Sequence, residues 1–196
     1  MDKIDIIIKH IASIEPINLT RLHKILYFAQ AASLVNFRKR MFREKIVAGD
    51  NGPFLPEVQK TYIYYSGKIR YEKKICDELD KLTGKVPESI KVEKFGKTKQ
   101  GEIIRTLLEE TRKFSDKELC EKTKYSLWKK CYNSENKIMK PKDIMKFHKE
   151  IKGFNEKEKS SGKTYKATEI SKFIIRKFEN INPLSLMRIL YFLNRD

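Results

Sequence analysis

The cysteines and histidines of this chain are the side chains best suited to metal or nucleophilic chemistry, but their spacing supports neither. No CxxC pair occurs, and no histidine falls near a cysteine at ligand spacing. We therefore expect no zinc site and a reduced compartment. The six residues are Cys76, Cys120, Cys131, His10, His23 and His148.

Sequence motifs typical of catalytic sites are also missing. The sequence has no glycine-rich phosphate loop, no HExxH and no Ser/His/Asp or Cys/His arrangement. Acidic neighbours such as Glu109 and Glu110 point to different faces of a helix, so they do not form an acid/base pair. We expect a protein that is not an enzyme and that needs no cofactor.

The strong basic charge raises the question of a polyanionic partner. The formal net charge is +17, and the excess of lysine and arginine is spread along the whole chain. Diffuse charge of this kind fits a solvated basic surface, and it also fits a site for nucleic acid or for an acidic protein. The apolar stretch 4–14 is interrupted by Asp5, Lys9 and His10, so we expect no membrane span or signal peptide and a cytoplasmic location.

The elements that must position any site are predicted to be helices. Apolar residues recur with helical spacing in 3–14, 19–35, 101–114 and around residue 128. The predicted fold class is mainly α, a compact multi-helix domain with a possible small β-hairpin insert and a C-terminal helical partial repeat. The helix 19–35 is apolar on two faces, which places it at the centre of the fold.

Local chemistry marks where several helices begin. Asn18 is a suitable N-cap for the helix 19–35, and Pro56 suits the first position of a helix that closes at Gly67. Ser115 and Glu118 form a capping box. A further helix begins at Pro141.

Residues 68–100 have a weaker pattern. Ile69 and Tyr71, and later Ile90 and Val92, alternate as residues of short strands do. We therefore expect a small hairpin or an irregular insert in this stretch.

The C-terminal part of the chain repeats its beginning. After a linker at 153–166, residues 167–196 match the first helix and half of the second, so that 189–192 repeats 25–28 and Asn182 repeats the cap Asn18. The tail is predicted to pack on the first domain or on a second subunit in a homodimer; alternatively, the chain is a truncated two-copy protein.

Three motifs occur in the order typical of one known family. Residues 22–30 read LHKILYFAQ, residues 52–58 read GPFLPEV, and Thr123 is followed by Trp128. Over residues 1–152 this chain resembles the Panacea domain, the SocA-like antitoxin family of bacterial and phage toxin–antitoxin pairs. It departs from the family pattern at Lys124, where histidine is frequent, and at Gly49, where a large aromatic residue is common.

The resemblance implies a largely α-helical domain that neutralises a protein toxin by direct binding, in some relatives as an adaptor to a protease. The alternative function is that of a basic nucleic-acid-binding accessory protein of a mobile element. Polar side-chain atoms on the helix 19–35 must reach water or a partner. The later motif residues have two possible roles. They form turns, helix starts and core contacts, or they present aromatic rings to a partner. The candidate partner-binding residues are Lys24, Tyr27, Gln30, Gly52, Pro53, Phe54, Pro56, Glu57, Tyr62, Tyr65 and Trp128.

Overall fold

The fold is mainly α, as predicted, with one short β-hairpin. The computed structural model describes residues 3–63, 67–83 and 87–149. In chain order the elements are α1 Lys3–Ile14, α2 Leu19–Phe37, β1 Val47–Gly49, β2 Gly52–Phe54, α3 Pro56–Tyr62, α4 Lys73–Leu82, α5 Glu88–Gly96, α6 Lys99–Thr111, α7 Asp116–Thr123, α8 Ser126–Tyr132 and a helix 141–149, here α9.

Helix α2 lies at the centre of the core, which confirms the expectation drawn from its two apolar faces. Every residue from Leu22 to Leu34 is buried. The helix packs against α6, α7 and β2, and α1 packs against α5 and α6. Because α2 is surrounded on all sides, its polar side chains must find partners inside the protein.

The helix starts follow the local chemistry of the sequence. The side-chain oxygen of Asn18 accepts a hydrogen bond from the Arg21 backbone N–H at 2.9 Å. Ser115 and Glu118 form both bonds of the capping box. Pro56 is the first residue of α3, and α9 begins at residue 141.

The position predicted for the hairpin is wrong. Its two strands pair around the turn at residues 50–51, with Val47 opposite Phe54 and Gly49 opposite Gly52. Residues 90 and 92 lie in α5, where Val92 is buried and Ile90 is 40% exposed. Four residues with period-two alternation are too few to separate a strand from a short helix, and burial at 89, 92, 95 and 96 shows the helical period.

Other boundaries also differ from the prediction. Helix α3 ends at Tyr62 and does not run to Gly67, and α4 occupies part of a stretch in which no helix was expected. Ile69 forms an isolated antiparallel bridge with Ile17, with backbone hydrogen bonds of 2.7 and 3.1 Å. The linker and the partial repeat lie outside the described residues, so the proposed homodimer through 167–196 stays a prediction. No helix in the described ranges combines the length and apolarity needed to cross a bilayer.

Candidate functional site

The three sequence motifs meet in space around the β-hairpin. Lys24 of α2 lies beneath the hairpin, and its Nζ donates a hydrogen bond to the Pro53 carbonyl oxygen at 2.9 Å. Thr123, at the end of α7, packs against Gly52, and Trp128 of α8 donates from Nε1 to the Gly49 carbonyl at 3.0 Å. Residues separated by up to about a hundred positions therefore hold one short turn.

Lys24 is an internal lysine that has no carboxylate partner among the described residues. Its side chain is 2% exposed, and its described acceptor is the Pro53 carbonyl. Burial lowers its pKa to about 8; the nearby Cys120 acts in the opposite direction and Lys124 lowers it further. The amine thus fastens the hairpin to the central helix.

Gly52 is required by both conformation and space. Its φ of +91° is one that side-chain-bearing residues rarely adopt. A Cβ at this position would lie 2.4 Å from Thr123 Oγ1 and 3.1 Å from Lys24 Nζ. The glycine therefore permits the close approach of the hairpin to α2 and α7.

His23 and Gln30 hold the chain on either side of the hairpin. The His23 ring accepts at Nδ1 from the Leu55 backbone N–H (3.4 Å) and meets Gln59 Oε1 at Nε2 (2.8 Å), which assigns the ring proton to Nε2. Burial lowers the pKa of His23 to about 4. Gln30 Oε1 accepts from the Met41 and Phe42 backbone N–H groups at 2.7 and 3.3 Å, so it secures the connector before β1.

A buried polar cluster joins α2, the start of α8 and α9. Tyr125 donates to the Tyr27 hydroxyl at 2.5 Å, and the Tyr27 hydroxyl lies 3.1 Å from Nε2 of His148. Burial lowers the pKa of His148 to about 4 and raises the pKa values of both tyrosines. The arrangement is that of a neutral His148 imidazole whose Nε2 accepts a hydrogen bond from the Tyr27 hydroxyl. The cluster therefore contributes to the packing of the core.

The expectation that the polar atoms of Lys24, Tyr27 and Gln30 reach water or a partner is therefore wrong. All three side chains are buried, and all three find acceptors or donors within the protein. Backbone carbonyls and a histidine distant in the sequence satisfy them. Their described contacts position the hairpin and the core, and their assignment as partner-binding residues stays a prediction.

One part of the motif region that reaches solvent is an aromatic surface beside the hairpin. Trp128 and Tyr132 stack with ring centroids 4.7 Å apart, and the Tyr132 hydroxyl donates to Asp50 at 2.7 Å. Lys124 Nζ lies 5.9 Å from the Trp128 ring and Lys137 Nζ 4.5 Å from the Tyr132 ring. We call this surface the hairpin face; it consists of Asp50, Phe54, Lys124, Trp128, Tyr132 and Lys137.

Phe54 explains the departure at Gly49. A Cβ on Gly49 would lie 2.8 Å from the Phe54 ring, so this ring fills the space that a larger residue at 49 would need. Phe54 is half-buried and meets the edge of the His23 ring at a centroid distance of 6.0 Å. The aromatic group beside the turn is thus supplied by β2.

The remaining candidate residues are distributed differently. Pro53 is buried in the hairpin, and Pro56 and Glu57 begin α3, where Glu57 is exposed. Tyr62 is half-buried and packs against the core. Tyr65 lies outside the described residues.

Sequence reasoning missed the Tyr132 and Lys137 part of the hairpin face. The spacing of Trp128 and Tyr132, four residues apart on one helix, was the available indication. Within the described ranges, histidine, cysteine and acidic side chains do not gather in groups of three that could hold a metal ion.

The fold and the site together define a class: a mainly α-helical domain in which a glycine–proline hairpin is fastened by a buried lysine and bordered by a tryptophan. The chain belongs to the antitoxin SocA-like, Panacea domain family, whose model matches residues 22–129. That match begins in α2 and ends in α8, so it contains the described hairpin and its contacts. No curated protein and no solved structure matches the chain.

Proposed function

We propose that this chain is an antitoxin that neutralises a cognate protein toxin by binding it through the hairpin face, without catalysis. Membership of an antitoxin-like family supports the general role. The observation that carries the choice of surface is Trp128, which is half-buried, stacked on Tyr132 and bonded to the hairpin backbone.

The composition of the hairpin face suits a protein interface. Tryptophan and tyrosine are enriched among the residues that dominate binding energy. Trp128 and Tyr132 are held by each other, by Gly49 and by Asp50, so little side-chain freedom remains to be lost on binding. Lys137 flanks the Tyr132 ring and would favour an acidic toxin surface, whereas Lys124, beside Trp128, is ion-paired with Glu121 at 2.9 Å.

The non-catalytic part of the proposal is supported by the histidines that contact the motifs. His23 secures the chain around Leu55, and His148 belongs to an internal cluster with two tyrosines. Burial keeps the pKa of each near 4, so both rings are neutral at pH 7 and both are occupied by structural hydrogen bonds. Neither is placed as an accessible general base.

The test is co-expression with the product of the adjacent reading frame, scored as growth. The wild-type chain is expected to relieve growth arrest, and Trp128→Ala is expected to lose at least about 2 kcal/mol of binding, roughly 30-fold in affinity. Circular dichroism must show that the variant retains its helices. Relief of arrest by a folded Trp128→Ala variant at wild-type level would contradict the hairpin face.

Two exposed lysines provide a matched pair for the same assay. Lys137→Gln removes a charge beside the Tyr132 ring, whereas Lys117→Gln removes a charge from an exposed position of α7 outside the hairpin face. We expect weaker toxin binding for the first variant and wild-type binding for the second. Equal effects would indicate that only overall charge matters.

A protease-adaptor role is a finer version of the same proposal. Masking leaves the amount of toxin in the cell unchanged, whereas delivery to a protease lowers it when the antitoxin is present. Immunoblotting of the toxin in the co-expression strain separates the two.

Nucleic-acid binding is the second candidate, favoured by the net charge of +17 and by the stacked rings flanked by lysines. It predicts oligonucleotide affinity that falls steeply with salt. Absence of such binding at low salt, together with relief of arrest by the wild-type chain, would exclude it.

A further inference from the structure

Two segments of the chain expose only basic side chains. In the connector 38–46, between α2 and β1, every exposed residue is a lysine or an arginine, and the same holds for the segment 137–142 at the start of α9. Lys137 of the second segment lies over the Tyr132 ring and belongs to the hairpin face. We call the rest the basic surface; it consists of residues 38–40, Arg43, Lys45, Lys140 and Lys142.

Backbone pairing brings the two segments together, although they are distant in the sequence. The Met139 N–H donates to the Ile46 carbonyl at 2.9 Å, beside an isolated antiparallel bridge between residues 47 and 138. Ile46 and Met139 are both buried, whereas the next residues along the two segments, Lys45 and Lys140, are both exposed. Because opposite residues of an antiparallel pair project to the same side, these two lysines lie next to each other at the surface.

The connector that carries most of these charges is held firmly. The Ser33 hydroxyl donates to the Lys39 carbonyl at 2.8 Å, and Gln30 accepts from the Met41 and Phe42 backbone N–H groups. The side chains of Met41 and Phe42 are buried, so they anchor the middle of the connector in the core. The basic side chains therefore project from a backbone that needs little further ordering to bind a partner.

The positive charges of the basic surface are not neutralised within the described part of the chain. None of its side chains forms an ion pair with another described residue. The neighbouring acids contact other groups: Glu44 accepts from the Arg43 backbone N–H at 2.9 Å, and Asp143, together with burial, raises the pKa of the Cys131 thiol. Since like charges side by side are destabilising, an anionic partner would relieve their repulsion.

The composition of the basic surface distinguishes between classes of anionic partner. Protein interfaces are enriched in aromatic residues and depleted in lysine, whereas lysine and arginine dominate contacts with phosphate groups of nucleic acids. The two segments expose no aromatic side chain on which an unpaired base could stack. These features favour the phosphates of a duplex over an acidic protein and over a single strand.

We propose that the basic surface binds double-stranded nucleic acid through its phosphates, without reading the base sequence. Lys45, Lys140, Arg43 and Lys142 contact the phosphate oxygens, and residues 38–40 extend the contact along the connector. This surface contains neither Trp128 nor any other residue of the hairpin face. The proposal therefore adds a binding surface to the antitoxin role and does not depend on it.

The test measures binding of the full chain to labelled duplexes by fluorescence anisotropy. The probes are a DNA duplex of about 20 base pairs, an RNA duplex of the same sequence and one of the single DNA strands, and the two duplexes distinguish the two sources of phosphate. We expect tighter binding to a duplex than to the single strand. The logarithm of the affinity should fall linearly with the logarithm of the salt concentration, by about 0.9 for each phosphate contact on DNA.

Two triple variants that each remove three positive charges separate a defined surface from overall charge. Arg43→Gln/Lys45→Gln/Lys140→Gln is expected to weaken duplex binding at least about tenfold and to reduce the salt dependence by roughly three contacts. The control is Lys91→Gln/Lys94→Gln/Lys97→Gln, at exposed positions of α5, and it is expected to weaken binding no more than about twofold. Circular dichroism checks that both variants keep their helices.

Trp128→Ala and the growth assay distinguish this proposal from the function of the hairpin face. Trp128→Ala should bind the duplex like the wild-type chain, because the tryptophan lies outside the basic surface. The triple variant at Arg43, Lys45 and Lys140 should relieve growth arrest like the wild-type chain, because the hairpin face is intact. Failure of the antitoxin role and failure of the basic surface therefore give different results.

Four results would overturn the proposal. They are no duplex binding at about 50 mM salt, equal weakening by the two triple variants, loss of duplex binding in Trp128→Ala, and binding of polyglutamate as tight as that of a duplex with the same number of charges. The last result would indicate an acidic protein as the partner.

Discussion

The residue that best explains the site is Lys24, and its role could not be read from the sequence. Lysine is among the residue types least often buried, so a lysine in a helix is expected at the surface. Here its acceptor is a backbone carbonyl 29 residues further along the chain, and only the fold brings the two together. The motif lysine therefore stabilises the position of the hairpin on the central helix.

Gly52 gives the sharpest test of this tight junction. Gly52→Ala forces a Cβ into the space beside Thr123 Oγ1 and strains a backbone with φ of +91°, so we expect a loss on the order of 2–4 kcal/mol in the free energy of unfolding. Urea denaturation measures this change.

Gly67→Ala is the matched control for that substitution. No atom lies within 4 Å of a Cβ built on Gly67, and its φ is not positive. Its free energy of unfolding should change by no more than about 0.5 kcal/mol. Similar losses for the two alanine variants would show that the hairpin is not tightly held against α2 and α7.

At the scale of elements, the helix starts were predictable and the hairpin was not. The helix-start contacts of Asn18, Pro56 and the Ser115 capping box involve only residues that are close in the sequence. They can therefore be predicted from the sequence. The hairpin has strands of three residues, and it is stabilised by Lys24 and Trp128 from other elements. Strands of three residues are too short to show the alternation of apolar and polar residues. The contacts that stabilise them come from residues distant in the sequence.

The same distinction applies to the candidate site. Phe54 and Trp128 were among the candidates drawn from the sequence motifs, and the structure brings both to the same glycine, Gly49. The burial of Lys24, Tyr27 and Gln30 was not foreseen, because helical spacing alone does not show that α2 is enclosed on every side. Tyr132 was missed because its contribution arises from stacking on a neighbour.

Gln30 tests how one side chain holds an element in place. Gln30→Met removes the acceptor of the buried Met41 and Phe42 N–H groups, so we expect a loss on the order of 3 kcal/mol. Amide hydrogen exchange at residues 41 and 42 should accelerate more than at residues in α6.

Gln100→Met is the control for this substitution. Gln100 is half-buried and bonds to Ser33 and Lys3, outside the connector. Exchange at residues 41 and 42 should stay at the wild-type rate in this variant. Unchanged exchange in Gln30→Met as well would mean that the connector is held by its apolar side chains alone.

For the whole molecule, the placement of neutral histidines in the core links stability to pH. His23 and His148 both have a pKa of about 4 in the folded protein, against an ordinary value of 6.5. Between these values the unfolded chain binds more protons than the folded one, so the free energy of unfolding falls as the pH falls. Their contribution is fully present above pH 6.5 and is lost by about pH 4.

Denaturant unfolding measured from pH 7 to pH 4.5 should show this loss, at up to about 1.4 kcal/mol per pH unit for each histidine. His148→Gln and His23→Gln are each expected to lower the free energy of unfolding at pH 7. Each is also expected to reduce the dependence of that free energy on pH by the contribution of one histidine. The informative quantity is the slope of the unfolding free energy against pH. A substitution that only disturbs packing lowers the free energy of unfolding at every pH and leaves this slope unchanged. A His148→Gln variant with the wild-type slope would show that this imidazole can be protonated in the folded protein, and that the Tyr27–Tyr125–His148 cluster is accessible to solvent.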